Sequence, residues 1–403
     1  MQRWRGAGFA LLSMVFLCTG TAPAHAAPWV PSSDGEIVET LPAVSGWSRD
    51  ERARLRELVA RPRDESVALA AARSYLDLAR AQGDARFAGY AAGVLRAWEP
   101  LTEQTPNAIL VMHATVAQFL HDFDGAERTL LLALRANPSN AQGWLTLATI
   151  QRVRGRYAAS DLACQALVRL RQNLYAIACL AENNGLRGDH AAARQSIDGL
   201  LASPALQTPA QAATRQWLMA TLAEVDELAG QTQAADAAYR QTLGRDASAY
   251  DVIAYSDFLL GQKRPAEVLP LLKSEPRSDA VLLRLVIATQ RLDAEGKLPP
   301  AQRESARKDR EELAERFDAA ALRPGTQAQH AREHAMFALD VQNDPPKALA
   351  ISRLNVKVQR EPIDLLVFAR AAAAAKDDAA RAEVRALMRE IGLSDARVDA
   401  ALG

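Results

Sequence analysis

Small residues recur at matched positions of two consecutive segments, and this recurrence limits the possible folds more than any other feature. When Asn107 is counted as position 1 of a 34-residue unit, Ala114 falls at position 8 and Ala126 at position 20. The next unit follows without a gap and places Ala148 and Ser160 at the same two positions. A fixed period of this length is typical of repeat architectures, in which each unit packs mainly on its neighbours.

The spacing within each unit predicts two antiparallel helices that approach closely. Small side chains at positions 8 and 20 leave room for the two backbones, while Trp144 and Leu147 fill the space beside them. Gly155 suits the turn between the helices, and Pro138 ends a second helix because it has no N–H to continue the hydrogen-bond ladder. Aromatic residues make up only 5% of the chain, so the core must depend on close helix approach.

This pattern resembles the tetratricopeptide repeat, W-x2-L-G-x2-Y followed by A-x3-F and P. The resemblance implies an all-α fold, a right-handed superhelical solenoid of stacked antiparallel helix pairs. Three further segments keep the register more weakly, through Leu180, Ala181, Gly188, Ala193 and Ile197, then Leu222, Ala223, Gly230, Ala235 and Tyr239, then Tyr250, Ile253, Ala254, Gly261 and Ala266.

The repeats also predict the organisation of the chain. We expect an N-terminal array over residues 48–280, in which units 107–140 and 141–173 are clearest. Residues 281–403 keep a looser spacing and are expected to form degenerate helix pairs, with a short helix capping the C-terminal end.

The first 26 residues have the three parts of a secretory signal peptide. Arg3 and Arg5 precede the apolar run Ala7–Cys18, and an A-x-A site predicts cleavage after Ala26. An N-terminal anchor that is never cut is the alternative. Residues 27–47 read as an extended linker. We therefore expect a periplasmic or secreted protein that is not an integral membrane protein after cleavage.

Two cysteines remain after the signal peptide. Cys164 lies at position 24 of one unit and Cys179 at position 6 of the next, so their side chains should lie at similar heights on antiparallel helices. Exported chains meet oxidants, and we expect a disulfide. Two buried thiols are the alternative, because packed helices can hold the Cα atoms beyond bridging distance.

In tetratricopeptide arrays the concave face is lined by first-helix positions 2, 5, 9, 12 and 13. Carried over to this chain, the resemblance implies a partner groove with an apolar early part and an acidic, aromatic later part. The groove residues on which we place the prediction are Gln118, Phe119, Arg152, Glu182, Trp217, Glu224, Tyr255 and Phe258.

These observations favour a non-enzymatic scaffold that binds a protein or peptide segment in its groove, without a cofactor. Nucleic acid is not expected, because 48 Lys+Arg are balanced by 48 Asp+Glu and phosphate binding needs a basic surface. An accessory factor of envelope polysaccharide or transport machinery, with a non-protein ligand, is the alternative. A metal-handling protein is less favoured: His330 and His334 share a helix face, but two imidazoles do not complete a site.

Overall fold

The computed structural model describes residues 33, 49–244, 247–322 and 331–403. The predicted signal peptide and its cleavage point after Ala26 lie outside the described residues, as does the predicted linker apart from residue 33. By its internal contacts the chain divides into two units, residues 1–51 and 52–403. The features discussed below belong to the second unit.

The described residues form twenty α-helices and no strand. They are α1 Arg49–Ala60, α2 Glu65–Gln82, α3 Ala85–Leu95, α4 Asn107–Phe119, α5 Phe123–Ala136, α6 Ala141–Val153, α7 Tyr157–Arg169, α8 Asn173–Leu186, α9 His190–Leu201, α10 Ala212–Leu228, α11 Thr232–Thr242, α12 Ala249–Gly261, α13 Pro265–Leu272, α14 Asp279–Ala294, α15 Pro300–Ala321, α16 Ala331–Asp340, α17 Pro345–Asn355, α18 Pro362–Ala374, α19 Asp378–Ile391 and α20 Ala396–Leu402. No helix among the described residues is both long and apolar enough to cross a bilayer.

From α2 to α19 the helices pack as nine successive pairs, each joined by a short turn. Along most of the array the first helix of a pair also packs on the first helix of the next, as α4 does on α6 and α6 on α8. This arrangement confirms the predicted all-α solenoid of stacked antiparallel helix pairs.

Each of the nine turns within a pair contains one residue with a left-handed backbone. Glycine, which adopts this conformation at little cost, serves in five turns and other residues serve in four. In chain order they are Gly83, His121, Gly155, Gly188, Gly230, Lys263, Gly296, Asn343 and Lys376. The turn residue occupies position 15 of the repeat, so it fixes the register of each unit.

Counting from these turns corrects the predicted register of α12. The sequence assigned position 15 to Gly261, but Gly261 is the last residue of the helix and the left-handed residue is Lys263. The unit is therefore shifted by two residues, and its small buried residue at position 8 is Ser256, not Ala254. Ala266, predicted at position 20, is exposed, and buried Val268 takes that place.

In the four preceding units the small residues lie where the repeat requires them. Positions 8 and 20 are buried throughout, with at most 2% of any residue exposed: Ala114 and Ala126, Ala148 and Ser160, Ala181 and Ala193, Ala223 and Ala235. The polar member, Ser160, donates its hydroxyl to the carbonyl of Ala148, 2.9 Å away. Close helix approach thus has the physical origin that the sequence predicted.

The predicted disulfide between Cys164 and Cys179 is confirmed. The two residues lie on α7 and α8, with their Cα atoms 5.7 Å apart, and both are fully buried. The bond joins the second helix of one unit to the first helix of the next, in the same apolar cluster as Leu147 and Ile150.

Candidate inner-face site

The first helices of the central units carry a group of acidic side chains at the repeat positions predicted to line the groove, and we call the face that these positions share the inner face. Glu182 on α8 and Glu224 on α10 occupy position 9 of their units, and Glu227 occupies position 12. In the corrected register Tyr250 takes position 2 of the next unit, and its hydroxyl donates to a carboxylate oxygen of Glu224. Tyr250 is 62% exposed, so an aromatic ring and a carboxylate stand side by side on accessible surface.

Three carboxylates around this point are each paired with an arginine. Arg152 lies 2.8 Å from Glu182, and Arg397 lies 2.8 Å from Glu227. Glu361, which immediately precedes α18, pairs with Arg332. Among the described residues Glu224 makes no such ion pair and has only the neutral Tyr250 hydroxyl as a side-chain partner.

The pKa of the Glu224 carboxyl reflects the absence of an arginine partner in the described part of the chain and the presence of three nearby carboxylates. Burial raises its pKa to about 8, the Tyr250 hydroxyl lowers it, and the nearby charges of Glu182, Glu361 and Glu227 raise it further. Burial also raises the pKa of Glu182, against the opposing effect of Arg152. Negative charge on Glu224 is therefore only partly compensated by the protein, and a cation placed beside it would favour the ionised form.

Several predicted groove residues lie on this face, with some exposed surface. Arg152, Glu182 and Glu224 belong to the charged group just described. Gln118 and Phe119 at the end of α4 are partly buried, as is Trp217 at position 2 of its unit. The Trp217 ring also packs against the apolar cluster of α8, α9 and α10, so part of its surface serves the core.

Tyr255 and Phe258 are not on open surface, and their prediction as groove residues is wrong. They are 3% and 1% exposed, and their rings stack on each other inside the core. The Tyr255 hydroxyl donates to Asp236, 2.9 Å away. The shift of two residues in α12 places these two side chains in the core and brings Tyr250 to the accessible position instead.

The C-terminal helices lie against the turns of the central units. The Arg360 amide donates to the carbonyl of Val153, 2.7 Å away, and the Ser394 amide donates to the carbonyl of Leu186, 2.9 Å away. These contacts join residues about two hundred positions apart in sequence. They also bring Glu361 close enough to influence the pKa of Glu182 and Glu224.

Three features define the fold. The helices form nine pairs with one left-handed residue in each turn, small buried residues lie at matched heights, and first helices stack on one another. The chain folds as a tetratricopeptide-repeat-like solenoid. The TPR-like array differs from an open ribbon in that its C-terminal pairs contact its central turns.

Neither a protein-family model nor a curated protein matches the sequence. Among solved structures, a tetratricopeptide repeat protein from Parabacteroides merdae ATCC 43184 is similar at 12% identity, with 61% of this chain and 93% of that chain covered and a TM-score of 0.38. Yeast Tom70 is similar at 12% identity, with 84% and 88% covered and a TM-score of 0.24. Structural similarity at these TM-scores does not indicate what this array binds, and its fold is assigned from its own helices and turns.

The histidine pair considered as a metal site is only partly described. His330 lies outside the described residues, and the ring of His334 stacks on Phe317 with centroids 5.3 Å apart. Burial lowers the pKa of His334. The described part of the chain contains no group of three or more side chains arranged to hold a metal ion.

Sequence reasoning missed three members of the inner-face group: Tyr250, Glu361 and Arg397. Tyr250 could have been found by placing the turn at Lys263. Glu361 and Arg397 carry no local signal, because they join the group only through the contact between the C-terminal helices and the central turns.

Proposed function

We propose that this TPR-like array is a scaffold that binds a basic segment of a partner protein on its inner face. The observation that carries the proposal is Glu224, an inward carboxylate without a cationic partner among the described residues. A lysine or arginine from a partner would supply the missing ion pair, and charge-assisted hydrogen bonds of this kind are among the stronger ones.

Tyr250 supports the same partner. Its exposed ring stands beside Glu224, so a cationic head could lie over the aromatic face while it pairs with the carboxylate. Tyrosine is one of the residue types enriched among the energetic centres of protein interfaces. A polysaccharide, the alternative ligand, would use the ring but would not favour the ionised form of Glu224.

Binding is tested by calorimetric titration with a tetralysine peptide and with tetraglutamate. We expect the wild type to bind tetralysine more tightly than tetraglutamate, with affinity that falls as salt rises. Glu224→Gln keeps the size and the acceptor for Tyr250 but removes the charge, and it should weaken tetralysine binding about fivefold to tenfold, roughly 1–1.4 kcal/mol.

Glu304→Gln is the matched control, because Glu304 is an exposed carboxylate on the outer helix α15 with 61% of its side chain accessible. It should bind tetralysine like the wild type. Equal weakening by both variants, or no preference for tetralysine, would refute the proposed function. Binding of a neutral oligosaccharide that is insensitive to Glu224→Gln would favour the polysaccharide alternative.

We also propose that the array works in the periplasm or outside the cell after removal of residues 1–26. The support is the sequence of the leader, together with a disulfide that suits an oxidising compartment. The full-length chain should therefore be recovered from the periplasmic fraction with a mass that corresponds to a start at Ala27. Recovery of the uncut chain from the cytoplasmic fraction would contradict this.

A further inference from the structure

Three turns of the central units are in contact with the C-terminal end of the chain, and glycine occupies each of them. A Cβ atom on Gly155 would lie 2.9 Å from Cγ2 of Ile391, and one on Gly188 would lie 3.0 Å from Cβ of Ser394. At Gly230 it would lie 3.2 Å from Cβ of Ala396. Side chains larger than glycine would therefore hold the two parts of the array away from each other.

The same contact buries apolar surface. Tyr157, Leu186 and Leu228 come from the central units, yet they belong to one apolar cluster with residues of α18, α19 and the following loop, such as Phe368 and Leu393. An ion pair of Arg397 with Glu227 also joins the two parts of the chain, and Asp395 holds the same arginine at 2.7 Å. This is a specific packed interface between distant parts of the chain.

Charge on the inner face opposes this interface. When the C-terminal helices are in place, Glu361 lies near Glu182 and Glu224, and like charges at short range repel. The neighbours that face Glu224 are Tyr250 on α12, Glu182 on α8, Glu227 on its own helix and Glu361 before α18. Of these groups, Glu182, Glu227 and Glu361 have arginine partners, which leaves Glu224, in its ionised form, as the main source of repulsion.

We propose that residues 360–403 form a clasp that covers part of the inner face beside the exposed Tyr250, and that opening of this clasp gives a partner full access to Glu224. Opening would separate Glu361 from Glu224 and expose the apolar surface of Tyr157, Leu186 and Leu228. The clasp itself is independent of what binds, whereas its control of entry rests on the proposed function.

Hydrogen exchange of the Arg360 and Ser394 amides in the full chain reports opening, because both amides are bonded across the interface. Gly155→Ala should push Ile391 and Arg360 away and speed exchange at Ser394 about tenfold. Gly296→Ala is the matched control: the two glycines have φ of +70° and +68°, but nothing lies within 4 Å of a Cβ atom at Gly296. Both variants bear the same backbone strain, and only the first disturbs the clasp.

Equal acceleration at Ser394 in the two variants would overturn the proposal. If Gly155→Ala does not fold, Gly230→Ala provides a milder test, because its new Cβ would meet Ala396 at 3.2 Å. Faster exchange at Ser394 in Gly230→Ala than in Gly296→Ala supports the clasp, and equal rates overturn it.

The opposing charge gives a second, independent readout. Glu224 binds its proton more tightly in the closed state, where its pKa is about 8. The closed state should therefore lose stability as the pH rises from the ordinary glutamate pKa towards about 8. At pH 9 the Ser394 amide should exchange several-fold more slowly in Glu224→Gln than in the wild type, and at about pH 4, below the ordinary glutamate pKa, the two should agree. Equal rates at pH 9 would overturn the role of this charge.

The outcomes separate the clasp from the proposed function. If Gly155→Ala speeds exchange at Ser394 but Glu224→Gln does not weaken tetralysine binding, the clasp is retained and the basic partner is rejected. Glu224-dependent tetralysine binding together with unchanged exchange in Gly155→Ala would retain the partner and reject the clasp.

Discussion

Replacing Asp257 with leucine should lower the free energy of unfolding by about 3–5 kcal/mol, because it leaves a buried arginine without its hydrogen-bonded counter-ion. Arg284 has 2% of its side chain exposed, and it donates from Nε and from a terminal nitrogen to the two oxygens of Asp257 at 2.9 and 2.7 Å. Its remaining hydrogen bonds go to a backbone carbonyl of its own helix and to the sulfur of Met336, and the charge of Glu333 also favours the charged arginine. Denaturant unfolding followed by circular dichroism measures the loss.

The double variant Asp257→Leu with Arg284→Met identifies the cause. Removing both charges replaces the pair with apolar side chains, which is often close to neutral, so most of the lost stability should return. Glu304→Leu, which removes one partner of an exposed ion pair on α15, should change stability by less than about 1 kcal/mol. A double variant as unstable as the single one would show that the loss comes from packing and not from the unpaired charge.

Reduction of the Cys164–Cys179 bond should lower the unfolding free energy by about 3 kcal/mol. The bridge closes a loop of 15 residues, and in the chain-entropy model a loop of this length restricts the unfolded ensemble by about that amount. Both sulfurs are buried, so reduction of the folded protein should be slow. Denaturant midpoints with and without reductant, after equilibration, measure the effect.

The double variant Cys164→Ser with Cys179→Ser serves as the control, because its midpoint should not respond to reductant. Mass spectrometry of alkylated, non-reduced protein provides the direct check. Two alkylated thiols in protein purified without reductant would contradict the disulfide, and a midpoint of the wild type that ignores reductant would contradict its contribution to stability.

Features that depend on neighbouring units could be predicted from the sequence. The matched small residues of units 107–140 and 141–173 gave the helix pairs, because close packing admits few side chains at positions 8 and 20. Cys164 and Cys179 could be paired for the same reason, since two helices joined by a short turn fix the relative heights of their residues. Arg152, Glu182 and Glu224 followed from counting positions on those helices.

The predicted register was wrong where the left-handed residue of a turn is not glycine. Lys263 adopts the left-handed conformation that five other turns assign to glycine, and nothing in its side chain signals this. Counting from Gly261 instead moved α12 by two residues, which exchanged buried Tyr255 and Phe258 for accessible Tyr250. On a helix a slip of two residues rotates the assignment by about 200°, more than half a turn.

The members of the site from the C-terminal helices could not have been found by counting repeat positions within one unit. Glu361 and Arg397 reach the inner face because α18 and α20 lie against turns that precede them by more than 150 residues. Such contacts depend on how the small rotations between successive pairs accumulate along the whole array, and sequence periodicity within one unit does not contain that information.

The contact between the C-terminal helices and the central turns also changes how the molecule should come apart. In a linear repeat protein the terminal units can fray independently, since each is held by one neighbour, and unfolding approximates a one-dimensional chain of coupled steps. Here the last pairs are also held by units near the middle, so losing them exposes two interfaces at once. Thermal unfolding should therefore approach a single cooperative transition across residues 107–403. Its cooperativity should be closer to that of a globular domain than to that of a linear repeat protein.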